Sequence, residues 1–236
     1  MKAYLTRLFD QAFQTNSENI VHLGRRLITP TGTLRMCDLG CGDGMLTARI
    51  AESVAADEVD VVETYDPHVD LAEGRGFHVT RADLNGRLPL ETDRYDVVVS
   101  NQVIEHLYDT DVFVEESIRI ARPGGLIIVS TENPSSWHNI GATILGWQPF
   151  SSTNISSKAA GVGNPLALHG GETGNPFPMQ HHRLLTIRAL RDVIELHGAQ
   201  YEACAGAGYY PLDARLGRWD PVHAHFITVA ARKPMK

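Results

Sequence analysis

Cysteine is sparse in this chain: three residues in 236, at positions 37, 41 and 204, with no Cys-x-x-Cys pair. That spacing argues against a disulfide framework, offers no four-ligand zinc site and fits a reducing, cytoplasmic compartment. Basic residues are outnumbered, 21 Lys and Arg against 28 Asp and Glu, and form no run. A net charge of −7 without a basic cluster disfavours a nucleic-acid partner and reads as solubility. No apolar stretch reaches the length of a membrane span, and Met1-Lys2-Ala3-Tyr4-Leu5-Thr6-Arg7 lacks the apolar centre of a signal peptide. The phosphate-loop signature Gly-Lys-Ser/Thr is missing, as is any internal repeat.

Apolar residues, at 43%, suffice for a core, and helix-like and strand-like patterns alternate. Residues 3–28 have the spacing of one or two amphipathic helices, with Ser17 as N-cap of the second, and Thr29-Pro30-Thr31-Gly32 ends them. Strands are expected at 34–39, 58–63, 77–80, 95–100 and 126–131. Helices are expected at 45–56, 67–75 and 109–122, the last stopped by Pro123-Gly124-Gly125. This alternation predicts an α/β fold with a doubly wound, mostly parallel sheet. From 132 to 182 the periodicity fails and Gly, Asn, Ser and Pro take over, so an irregular insert, a lid or binding loop, is expected after strand five. A helix at 186–198 and strands near 200–205 and 224–232 would complete seven strands. The chain thus reads as a single domain: an N-terminal helical lid (1–33), a ligand-binding core (34–131), the insert (132–182) and the C-terminal part of the sheet (183–236).

Gly40-Cys41-Gly42-Asp43-Gly44 falls between an expected strand and an expected helix, where open α/β sheets bind ligands. The dinucleotide fingerprint places glycine at its sixth position, which here is Met45. Asp38-Leu39-Gly40-Cys41-Gly42-Asp43-Gly44 instead resembles motif I of the class I S-adenosylmethionine-dependent methyltransferases. Further elements of that family follow in order across 34–131. Glu63 ends the second strand, Asp83-Leu84 follows the third, Asn101-Gln102-Val103-Ile104-Glu105-His106-Leu107 follows the fourth, and Pro123-Gly124-Gly125 runs into the fifth.

The resemblance implies a Rossmann-like methyltransferase fold and a donor, S-adenosylmethionine, leaving as S-adenosylhomocysteine. It implies that Asp38 supports the donor's amino-acid end and that Gly40, Cys41 and Gly42 let the donor lie against the turn. Glu63, with Thr64 beside it, would accept from the ribose hydroxyls, with Asp66 as the neighbouring candidate. Asp83 and Leu84 would meet the adenine, and Asn101 and Gln102 would lie along the donor.

Methyl transfer to oxygen needs an oriented acceptor, exclusion of water and a base for the hydroxyl proton. Histidine is the natural base near neutral pH. His182, in His182-Arg183-Leu184-Leu185-Thr186, matches a His-x-x-x-Thr pattern that the family often carries on the acceptor side. His181 precedes it, and His106 follows strand four, where the family's Glu-His pair is often structural. On the acceptor side stand Glu132, Trp137, His138, Trp147 and His169, with Asn133, Gln148, Phe150, Asn154, Asn164, Asn175 and Phe177 around them. Any one of the aromatics can equally pin the insert to the sheet. A divalent cation such as Mg, held by Glu132, Asn133 and His138 with His169 or Glu172, is conceivable, although the spacing matches no metal motif.

Gly146-Trp147-Gln148-Pro149-Phe150-Ser151, Gly163-Asn164-Pro165 and Gly208-Tyr209-Tyr210-Pro211-Leu212 resemble bacterial methyltransferases of surface glycans and glycolipids. This implies a saccharide hydroxyl as acceptor. Alternatives are a small aromatic, quinone or polyketide acceptor, or a non-catalytic donor-binding subunit. The Asp/Asn-Pro-Pro-Tyr/Phe of nucleic-acid adenine methyltransferases is absent after strand four.

Overall fold

The computed structural model describes residues 2–28, 32–170, 172–173 and 180–235. Seven strands form one sheet: β1 (Arg35–Leu39), β2 (Glu58–Val62), β3 (Val79–Thr80), β4 (Tyr95–Asn101), β5 (Ala121–Glu132), β6 (Gln200–Ala207) and β7 (Phe226–Arg232). Their order across the sheet is β3-β2-β1-β4-β5-β7-β6. β7 runs antiparallel to both its neighbours, so the sheet is mixed. Among the described residues it is accompanied by the α-helices α1 (Lys2–Leu27), α2 (Met45–Val54), α3 (Asp66–Gly74), α4 (Thr110–Ile120), α5 (Trp137–Ile144) and α6 (Ile187–Leu196).

Side-chain alternation along the strands splits the core in two. Cys37 and Leu39 of β1, Ile127 and Val129 of β5 and Ile227 and Val229 of β7 pack with Phe113 and Val114 of α4 and Leu190 and Ile194 of α6. Met36, Leu126, Ile128 and Ala230, from the opposite face, pack with Ile20 and Leu23 of α1 and Ile50 and Val54 of α2. Tyr95 joins the first group although Val97 joins the second, because the β4–β5 register shifts between them.

The structure departs from the expectations in three places. α1 is one helix, and Ser17 is no cap: it is buried in mid-helix, where its hydroxyl donates to the Phe13 carbonyl at 3.0 Å. α4 stops at Ile120, ahead of Pro123-Gly124-Gly125, which instead lies inside β5. The insert is only partly irregular, since α5 and a 3-10 turn at Phe150–Ser152 form within it. The helix breaker Thr29-Pro30-Thr31 and the sites Asn175 and Phe177 lie outside the described residues. No described helix is long and apolar enough to cross a membrane.

Candidate functional site

The chain leaves β1, builds β2 and β3 to one side, then returns to place β4 on the other. The carboxyl ends of β1 and β4 therefore frame a topological switch point, where such sheets open a crevice. A cavity of about 680 Å³ lies there, and all ten of Asp38, Gly40, Cys41, Gly42, Glu63, Thr64, Asp83, Leu84, Asn101 and Gln102 line it. His106 and His182 line it too, together with Phe13 and Ser17 of α1 and Leu46 and Arg49 of α2.

The turn after β1 needs glycine. Gly40 has φ +80°, and a Cβ there would stand 2.4 Å from Cγ2 of Val103. Behind it, Asp38 is buried and accepts from the Thr47 hydroxyl at 2.6 Å. Burial raises its carboxyl to about 6, against the Thr47 hydrogen bond and with help from the negative Glu63. Cys41 is no nucleophile: burial, Asp38 and Glu63 push its thiol up to about 12.

Glu63 is tied into the turn. Its Oε1 accepts from the main-chain N–H of Thr64 and Tyr65 at 2.8 and 3.0 Å, and its Oε2 from Gly42 at 3.0 Å. Three of its roughly four acceptor positions are filled, and Nδ1 of His68 stands 3.7 Å from Oε2, where the fourth lies. Asp66 opens α3, pairs with Arg81 and is not among the cavity-lining residues. Asp83 Oδ1 accepts from the main chain and the side chain of Asn85.

The histidines divide. His106 and His181 meet edge to face at 4.8 Å between ring centroids. Nδ1 of His106 lies 3.1 Å from the Gln180 carbonyl and Nδ1 of His181 lies 2.6 Å from the Ser151 carbonyl. A carbonyl only accepts, so both Nδ1 atoms carry the proton, and in the neutral rings Nε2 is the acceptor. Burial, with His181, lowers His106 to about 4. His182 stacks on Tyr108 at 4.1 Å, and its main-chain N–H donates to the Glu105 carbonyl. The Glu105 carboxyl is buried, accepts from the Thr131 hydroxyl and is raised by burial to about 7.

Beyond His181 lies a buried polar cluster that sequence reasoning foresaw only in part. Glu132 ends β5, with its carboxylate 3.9 Å from Nδ1 of His181 and 3.7 Å from Nε2 of His225. Burial would raise its carboxyl, but His225 and then His181 hold it at about 2. Nδ1 of His225 lies 2.7 Å from the Tyr210 hydroxyl. His138, in the first turn of α5, stands edge to face against both Tyr210 and His225, and its Nε2 is buried without a partner. His225 and Tyr210 were not expected from the sequence, because each is a single residue in a loop flanking β7 or β6. The one signal was the glycan-like stretch containing Tyr210.

Phe150 and Asn154 touch this cluster, the first through the His138 ring at 5.3 Å and the second by accepting from the His181 main-chain N–H, but the remaining described candidates bring no side chain to it. Trp137 donates from Nε1 to the Tyr209 hydroxyl and stacks on His223 at 4.2 Å, pinning α5 to the loops around β6 and β7. His169 is exposed and pairs with Glu172. Asn133 is fully buried and spends Nδ2 on the Val222 and Ala224 carbonyls. The amides of Gln148 and Asn164 bond back to the insert's own backbone. Trp147 is half-buried and anchors by its main-chain N–H to the Ala142 carbonyl. Among the described residues no group of three or more His, Cys, Asp and Glu is placed to hold a metal ion.

A methyltransferase-domain family model matches residues 1–203. A methyltransferase of Mycolicibacterium smegmatis, named S-adenosylmethionine-dependent, is 33% identical over 192 residues, covering 76% of this chain and 59% of that protein. A ubiquinone biosynthesis O-methyltransferase of Chelativorans sp. is 30% identical over 130 residues, covering 53% and 51%. The chain thus spans about half the length of the curated relatives it matches. Among solved structures, an S-adenosylmethionine-dependent methyltransferase from Mesorhizobium loti shares the fold with a TM-score of 0.58 at 21% identity, covering 89% of this chain and 95% of that one. Phosphoethanolamine N-methyltransferase 2 of Haemonchus contortus, solved with S-adenosyl-L-methionine, has a TM-score of 0.60 at 14% identity and covers 92% and 53%. Fold, glycine turn and family match agree: the chain belongs to the class I S-adenosylmethionine-dependent methyltransferase family.

Proposed function

We propose that the chain transfers a methyl group from S-adenosylmethionine to a hydroxyl oxygen of a small-molecule acceptor, a sugar or glycan precursor. The observation that carries this reading is the chain of buried titratable groups from His106 on the cavity wall through His181 to Glu132. The cavity suits the donor: Asp38 sits behind the glycine turn, the Glu63 carboxylate lines the cavity with His68 beside it, and a side chain at position 40 would have no room. When bound, S-adenosylmethionine supplies a methyl group already activated on a sulfonium.

The protein's task is to orient the hydroxyl, exclude water and take the proton. His106 and His182 are the candidates on the cavity wall, with His181 one ring behind. His106 is favoured because Gln180 fixes its tautomer with Nε2 as acceptor. Burial and His181 disfavour a proton on its ring, and the ionised Glu132 opposes them in part.

A second reading, methylation of a phenol or quinol, is favoured by the relatives named ubiquinone biosynthesis O-methyltransferases and by the apolar Phe13 and Leu46 on the cavity wall. Calorimetric titration with S-adenosylhomocysteine, with NAD as control, tests the donor. Radiolabelled methyl transfer to saccharides and to catechols separates the acceptors. Labelling of catechols alone would overturn the sugar reading, and NAD binding without S-adenosylhomocysteine binding would overturn the donor. His106→Ala is expected to slow transfer at least a hundredfold with donor affinity unchanged, while His182→Ala has the smaller effect.

A further inference from the structure

The cavity crosses the sheet ends in a fixed order, from Asp83 and Glu63 after β3 and β2, past Asp38 and Gly40 at β1, to Asn101 at β4. A donor with its ribose at Glu63 must therefore lay its amino-acid end on the β4 side, beneath α1 and α2. Asp38 is suited to the ammonium there. Asp38 and Glu63, both acidic, cannot receive the carboxylate.

Asn101 lies level with Gly40, because Asp38 pairs with Val99 in the β1–β4 register. Its Oδ1 accepts from Nδ2 of Asn16 at 2.9 Å. Asn16 is fully buried in α1, and its own Oδ1 accepts from the Ser130 and Thr228 hydroxyls at 3.1 and 3.0 Å. With Oδ1 held by Asn16, the Nδ2 group of Asn101 is turned away from Asn16 and can offer its N–H groups to the cavity, while Oδ1 keeps a second lone pair. Arg49 of α2 lines the same cavity, and among the described residues its guanidinium has no ion pair or hydrogen bond. Asn16 shares its buried helix face with Thr15, Ser17 and Asn19, but it alone of these reaches the Asn101 amide, and a fully buried amide is costly unless its bonds are made.

Resting on the donor reading above, we propose that Arg49 and the Asn101 amide form a carboxylate clamp for the donor's amino-acid end. Asn16 is the positioning residue that turns the Asn101 N–H groups toward it. Replacing Asn16 by Asp keeps acceptors for Ser130 and Thr228 but removes the donor to Asn101. The Asn101 amide then turns its N–H groups toward Asp and presents its oxygen to the ligand carboxylate.

The test is calorimetric titration of the full chain with two probes, S-adenosylhomocysteine and 5′-methylthioadenosine, which lacks the amino-acid end. Arg49→Gln, Asn101→Ala and Asn16→Asp are each expected to weaken S-adenosylhomocysteine tenfold or more and to leave 5′-methylthioadenosine within twofold. Arg49 is exposed, so Arg49→Gln keeps the test valid if a change at the buried Asn16 impairs folding. Equal weakening of both probes, or no weakening of either by Arg49→Gln and Asn101→Ala, overturns the clamp. Wild-type binding of 5′-methylthioadenosine without S-adenosylhomocysteine also overturns it. Wild-type protein that binds neither overturns the donor reading beneath it.

Discussion

The Thr47 hydroxyl donates to Oδ2 of Asp38 at 2.6 Å, joining the first turn of α2 to the penultimate residue of β1, directly behind the glycine loop. That bond opposes the burial that raises the Asp38 carboxyl to about 6. An ammonium bound beside Asp38 favours the ionised form, so donor binding at low pH must expel a proton. S-adenosylhomocysteine affinity is expected to be flat above about pH 6 and to weaken up to tenfold per unit below it. Thr47→Val removes the opposing bond and should move the onset to higher pH. Calorimetry from pH 5 to 8 checks both, and an affinity independent of pH would remove Asp38 from the site.

The same carboxyl costs the ligand-free protein stability. Its folded value lies above the ordinary 3.8, so the folded form holds the extra proton between 3.8 and about 6. Stability therefore falls as pH rises through that window, and at pH 7 the loss is complete. Asp38→Asn keeps an oxygen for Thr47 and removes the charge. Its Tm without ligand should exceed wild type by a few degrees at pH 7 and by almost nothing at pH 3.5, while S-adenosylhomocysteine binding is lost. Thermal melts at the two pH values decide this.

Gly40→Ala joins two penalties, positive φ and a Cβ 2.4 Å from Val103. Together they should destabilise the fold by about 2–3 kcal/mol and displace the segment carrying Asn101 and Gln102. Denaturant unfolding measures the first effect and donor titration the second. Gly42→Ala, whose Cβ would meet nothing within 4 Å, should suffer only the backbone penalty.

Glu132 behaves oppositely to Asp38. Its carboxyl sits at about 2 instead of 4.5, so its contribution is present above 4.5 and is lost as pH falls toward 2. Glu132→Gln strands His181 and His225 and should cost on the order of 3 kcal/mol at neutral pH. The difference from wild type should shrink near pH 3. An acid-unfolding midpoint unchanged by the substitution would show that the carboxylate is unpaired in solution.

The cavity proposed for the donor was legible in sequence because its parts are local. One turn between β1 and α2 carries the glycines, and Glu63, Asp83 and Asn101 each stand at or just after a strand end, which strand periodicity locates to within a residue or two. The acceptor side was less legible. Nothing in the sequence ties Glu132 to His225, 93 positions away; antiparallel pairing of β5 with β7 sets Phe226 against Glu132 and so brings His225 beside it. α5 escaped notice because Asn139 and Gly141 are poor helix formers, and its packing through Asn139 to Ser151 overrides that preference.

Alternation of apolar residues with turn residues determined the layered fold and the position of the glycine loop, since both follow from backbone sterics and burial over short spans of chain. The reversal of β7, the seating of Asn16 under Asn101 and the charged state of Glu132 were decided by tertiary structure alone. Each depends on which distant side chains share a low-dielectric interior, and that is a property of the packed sheet and not of any segment within it.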